Sequence, residues 1–152
     1  MKRASHYILI TIFLLACQAC HKSPKEIESA YIENRFESFK PDPDKRWMII
    51  LPGLGCKGCI QEGETFLQQH VSNNSILFVL TKIESLKLLQ QKTGIDLKNR
   101  TNVVIDKSNS FELPSKNSIY PLIIELKDSK VKDYQFQSPE NSDAFSRLED
   151  KI

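Results

Sequence analysis

RWMIILPGLGCKGCIQEGETFLQQH, residues Arg46 to His70, changes its periodicity partway along. Trp47 to Leu51 is an unbroken apolar run of strand length, the pattern of a strand covered on both faces. Pro52-Gly53-Leu54-Gly55 turns the chain. From Cys56 the spacing becomes helical: Ile60, Phe66 and Leu67 are apolar, while Gln, Glu and His fill other positions. A buried strand feeding a helix through a glycine turn is the first half of a β-α-β unit.

The flanking sequence extends this pattern. SILFVL (Ser75–Leu80) and TNVVID (Thr101–Asp106) read as two more strands. Between them Ile83, Leu86, Leu89 and Gln90 lie near one face of an amphipathic helix that Gly94 stops. SIYPLIIEL and KVKDYQFQ form a hairpin about the polar turn KDSK (Lys127–Lys130). Ser138-Pro139-Glu140 carries the signs of a helix start: a cap, proline at the first position, then an acid near the positive end of the dipole. Upstream, Pro41–Asp44 breaks the chain, and Ile27, Tyr31, Phe36 and Phe39 are spaced for at most a short helix. The predicted order is β-α-β-α-β-loop-β-β-α. That describes an α/β, three-layer sandwich over residues 44–152, with a central mixed sheet and a closing β-hairpin.

The chemistry concentrates at Cys56-Lys57-Gly58-Cys59, where the first strand gives way to its helix. Cysteines spaced i, i+3 on a first helical turn lie on one side, close enough to bridge. The helix N-terminus offers unpaired N–H groups and partial positive charge, and Lys57 adds a full one; both favour a thiolate. Cys56, at the outer end, is the expected attacking sulfur, and Cys59, one turn inside, the resolving one. The reaction these features support is thiol–disulfide exchange through a mixed disulfide.

Composition sets outer limits. The chain has 152 residues, 40% apolar and 26% charged, which suits one ordinary globular domain. Formal charge is +2, and its excess lies in Lys2 and Arg3. The remainder is neutral and gives no electrostatic basis for binding nucleic acid. After Lys2 and Arg3, Tyr7 to Ala16 forms an apolar run too short to span a bilayer, which takes ~20 residues. It fits the core of a secretory signal. The following Leu14-Leu15-Ala16-Cys17 resembles a bacterial lipobox. That resemblance implies removal of residues 1–16, a lipidated Cys17, a polar tether within 17–43, and a place in the cell envelope facing the periplasm or cell exterior. A signal cut near Ala19, an uncleaved anchor, or lipidation at Cys20 are the competing readings.

Together, the element order and the segment Cys56-Lys57-Gly58-Cys59-Ile60-Gln61-Glu62 resemble the thioredoxin superfamily, most closely its membrane-tethered, TlpA-like branch. That branch carries W-C-x-x-C-x-x-E after its first core strand. The resemblance implies that Glu62 sits beneath the cysteines and assists proton transfer as the buried thiol ionises. It also implies that Pro121 is a cis-proline against the disulfide, and that the backbone at Tyr120 and Pro121 binds an extended substrate. Partners would be cysteine-containing envelope proteins and a membrane electron donor, with no metal and no cofactor beyond the two sulfurs. Three positions depart from the branch: Gly55 stands where it has Trp, Lys57-Gly58 replaces a pair that often ends in Pro, and Tyr120 is bulkier than usual.

Blander assignments compete for the same cysteines. The pair could be a structural disulfide in a non-enzymatic lipoprotein of the same fold, or a degenerate redox motif. It could also bind metal, as a copper chaperone or a zinc site. Zinc would need two further ligands, and His21 and His70 lie at no ligand spacing.

Overall fold

The computed structural model describes residues 23–152. The proposed signal segment, Cys17 and Cys20 lie outside the described residues. Within them the chain forms α1 (Pro24–Phe39), β1 (Trp47–Pro52), α2 (Lys57–His70), β2 (Ile76–Thr81), α3 (Leu86–Thr93), β3 (Val103–Asp106), β4 (Leu122–Lys127), β5 (Lys130–Phe136) and α4 (Ala144–Glu149). Two 3₁₀ turns, Leu97–Asn99 and Lys116–Ile119, precede β3 and β4.

The sheet has five strands in the order β3-β2-β1-β4-β5. β1 and β2 run parallel, from Trp47 beside Ile76 to Pro52 beside Thr81. β3 continues the parallel half, with Phe78 beside Val103. β4 returns antiparallel against β1, and β5 against β4. β1 and β2 are buried at every residue, as their unbroken apolar runs require. Their side chains alternate between two cores. Trp47, Ile49 and Leu51 pack with Phe66 and Leu67 of α2, Leu89 of α3 and Phe145 of α4. Met48 and Ile50 pack on the opposite face with Ile32 and Phe36 of α1 and with Phe111 and Leu113 of the loop before β4. Each fully buried side chain of this kind contributes ~1.5–3 kcal/mol. The result is an α/β fold with helices on both faces of a mixed sheet and a hairpin at its end. Asp128 and Ser129, both at positive φ (52° and 56°), make the tight turn of that hairpin.

Two elements differ from their sequence reading. Within the segment 17–43 expected to hold a tether and at most a short helix, the chain is already helix from Pro24, and α1 runs for 16 residues. Ser23 caps it: its hydroxyl accepts the Glu26 N–H at 3.3 Å, and the Glu26 carboxylate accepts the Ser23 N–H at 2.6 Å. Its buried stripe is Glu28, Ile32 and Phe36. A carboxylate in that stripe interrupts the apolar periodicity, so the helix reads as weak. At the other end, the helix expected from Ser138 starts at Ala144. Ser138 and Asn141 instead close a turn, the Asn141 N–H donating to the Ser138 carbonyl at 2.9 Å. The Asn141 side chain donates to the Phe136 carbonyl at 2.7 Å and locks it. Proline's fixed φ suits the second position of such a turn as well as it suits a helix start.

Candidate functional site

The site is assembled at the exit of β1. After Pro52 the Gly53 N–H donates to the Thr81 carbonyl at 2.8 Å, which ties the turn to the end of β2. Gly55 follows at φ +146°, and a Cβ there would lie 2.4 Å from the Ile119 carbonyl oxygen and 2.7 Å from its Cα. Only glycine fits at this position. The Cys56 N–H then donates to that same Ile119 carbonyl at 3.0 Å. The segment before β4 therefore grips both residues that lead into α2.

Cys56 is the N-cap of α2, and its side chain makes no capping bond. Cys56 and Cys59 are joined as a disulfide with their Cα atoms 5.4 Å apart. Cys59 is 6% exposed, against a half-buried Cys56. The outer sulfur is the reachable one. No acidic residue lies in the first turn of α2, and Lys57 is exposed beside the pair. Unpaired N–H groups of that turn and a neighbouring cation are the setting in which a released Cys56 thiolate is favoured. Leu54 and Ile119, in the two segments that lead to Cys56 and to Pro121, are large apolar residues left 48% and 39% exposed.

The structure moves the two expectations that came with the resemblance. Pro121 does lie beside α2, its Cγ 3.3 Å from where a Gly63 Cβ would sit. However, the described residues contain no cis peptide bond, so the Tyr120–Pro121 bond is trans. Tyr120, half-buried, has the extended backbone (φ −107°, ψ 147°) that a residue before proline prefers, and trans is the ordinary state of an X-Pro bond. Glu62 is exposed and lies on the flank of α2 rather than beneath the cysteines. The inner position at this depth belongs to Gly63, pressed so closely against Leu51 and Pro121 that a carboxylate has no room there. The Glu62 carboxylate faces α4 and accepts from the Gln137 side chain at 2.5 Å.

Several residues of the site carried no signal that was read from the sequence. Gln137, 2% exposed, makes four hydrogen bonds that reach α2, α4 and the segments before each of β4 and α4. Its Nε2 donates to Glu62 and to the Ser142 carbonyl (2.7 Å), its Oε1 accepts the Phe145 N–H (3.0 Å), and its backbone N–H donates to the Pro121 carbonyl (2.9 Å). Asp106, at the end of β3, accepts the N–H groups of Ser110 (3.0 Å) and Phe111 (2.9 Å). Burial raises its pKa, but these amides and the Ser110 hydroxyl outweigh that and hold it below the usual carboxylate value. Asp106 followed by Ser108 and Ser110 is a turn signature that could have been noticed. Among the described residues no three His, Cys, Asp or Glu side chains converge as metal ligands, and no helix is long and apolar enough to cross a membrane.

Compared with family models, curated proteins and solved structures, the chain matches none.

Proposed function

We propose that this protein is a thioredoxin-like thiol–disulfide oxidoreductase, tethered in the cell envelope and acting on protein cysteines. The observation that carries the reading is the Cys56–Cys59 disulfide at the N-terminus of α2, with Cys56 half-buried and Cys59 buried. A β-α-β unit leading to a closing hairpin, with Pro121 at the hairpin's entry, supports the thioredoxin-like assignment. Lys2, Arg3, the apolar run and Cys17 support the envelope assignment.

In the reducing direction, the Cys56 thiolate attacks one sulfur of a substrate disulfide. That S–S bond breaks, a Cys56–substrate bond forms, and the released substrate thiolate takes a proton. Cys59 loses its proton and attacks Cys56. The mixed disulfide breaks, the second substrate thiol leaves, and Cys56–Cys59 holds the two-electron oxidation. Run backwards, the same steps oxidise a substrate dithiol. Glu62, one helical turn after Cys59 and hydrogen-bonded to Gln137, is the candidate to receive the Cys59 proton through water.

The test is insulin reduction with dithiothreitol as electron source. Wild type is expected to turn over and Cys56→Ser to lose all catalysed rate, while the lost cross-link lowers stability by only ~2 kcal/mol. A wild type no faster than dithiothreitol alone, with Cys56→Ser merely less stable, would instead favour a structural staple.

A further inference from the structure

Glu28 stands on α1, a helix that lies on the opposite face of the sheet from α2. It is 5% exposed and shares its stripe with Ile32 and Phe36. An apolar side chain would cover this position at no desolvation cost, whereas a buried carboxylate must find donors. Glu28 finds both in one segment. Its Oε1 accepts from the Ser115 hydroxyl at 2.5 Å and from the Asn117 side-chain amide at 2.8 Å. Ser115 in turn accepts the Asn117 N–H at 3.2 Å and starts the 3₁₀ turn. The Asn117 carbonyl accepts the Tyr120 N–H at 3.0 Å, and the neighbouring Ile119 carbonyl accepts the Cys56 N–H at 3.0 Å. None of residues 115–120 is fully buried. Apolar packing therefore does little to hold this segment, and hydrogen bonds carry the load.

We infer that Glu28 is a positioning residue for the Cys56 reaction. It anchors segment 115–120, and through Ile119 it fixes the amide and the turn that present the Cys56 sulfur to a partner. This rests on the exchange reading above. An element ahead of the predicted domain boundary thereby becomes part of the redox unit. The contribution is that of a hydrogen-bond acceptor at one oxygen, not of a charge, because both donors meet Oε1. Glutamine can supply that oxygen; leucine cannot.

The experiment uses the full chain and two readouts. One is the rate at which the reduced protein exchanges with a small aromatic disulfide. The other is hydrogen exchange at the Cys56 amide relative to the Phe78 amide in β2, which a general loss of stability would move in parallel. Glu28→Leu is expected to speed Cys56 amide exchange about tenfold over Phe78 and to slow the thiol reaction about five- to tenfold, with Glu28→Gln within about twofold of wild type in both. If Glu28→Leu does not fold, Asn117→Ala carries the test and should shift both readouts in the same direction. Three results overturn the proposal: whichever variant carries the test matching wild type in both readouts, glutamine as impaired as leucine, or the two amides accelerating together. A wild type that fails to exchange at all sinks the oxidoreductase reading and this inference with it. An active wild type with an unaffected variant sinks the inference alone.

Discussion

The backbone before Cys56 and the backbone after it are held in opposite ways. At Gly55 a Cβ would run into the Ile119 backbone, and at Gly53 one would lie 2.5 Å from the Lys82 carbonyl oxygen. At Gly58, between the two cysteines, a Cβ would meet nothing within 4 Å. The approach to the disulfide is thus a close-packed frame, whereas the pair inside it, Lys57-Gly58, faces solvent. A frame of this kind sets where the sulfur sits. An open pair can change without moving it, and adjusts charge and helix-start energetics instead. Of the two glycines that flank Cys56, Gly55 and Gly58, only Gly55 is required by packing.

The sharpest way to break this contrast is Gly55→Ala. It combines an unfavourable φ with overlap against backbone that cannot rotate away. The expected loss is roughly 3–5 kcal/mol in urea unfolding of the oxidised protein. A loss below ~1 kcal/mol would show that the Ile119 segment yields easily, and the frame would be no frame.

Asp106 offers the next largest effect, at the exit of β3. Asp106→Asn keeps the shape but replaces one of the two acceptor oxygens by an amide NH2, which leaves the N–H facing it without an acceptor, at a cost of about 2 kcal/mol. The pH dependence follows from the depressed pKa. The unfolded carboxylate titrates near ~3.9, and the folded one below it. Asp106 therefore stabilises the fold fully above the unfolded value, and that stabilisation is lost as pH falls through the folded value. Melting temperature followed from pH 6 downward should drop more steeply in wild type than in Asp106→Asn once the pH falls below about 4. Parallel curves would show that the Asp106 charge does not stabilise the fold.

How much of this was legible in the chain depends on where each residue's partners lie. β1 and β2 announce themselves because strands buried on both faces need continuous apolar runs. The hairpin is equally plain, since KDSK leaves only a tight polar turn between two apolar stretches. Cys56 and Cys59 are legible because their chemistry is local: spacing, a turn before them, a helix after. The depth of Glu62 is not local. It follows from Gly63 packing on Leu51 and Pro121, a contact that no spacing encodes. The Gln137–Glu62 bond and the role of Glu28 are invisible for the same reason, because the partners lie 75 and 87–89 residues away along the chain. Pro139 misleads for a different one, since a single fixed φ serves two structures.

The smallest predicted effect has the opposite sign to the others. Gly58 occupies the second residue of α2 with open space about it. Replacing it by Ala removes backbone freedom from the unfolded chain and adds a good helix former, without overlap. Gly58→Ala should therefore stabilise the oxidised protein by about 0.5–1 kcal/mol. The same unfolding titration that shows Gly55→Ala falling should show Gly58→Ala rising, so one methyl group placed three residues apart acts in two directions. If both glycines lose stability on substitution, the inner pair is as constrained as the turn. If Gly58→Ala gains stability and leaves the insulin rate within about twofold, the pair is free to be set by redox chemistry alone.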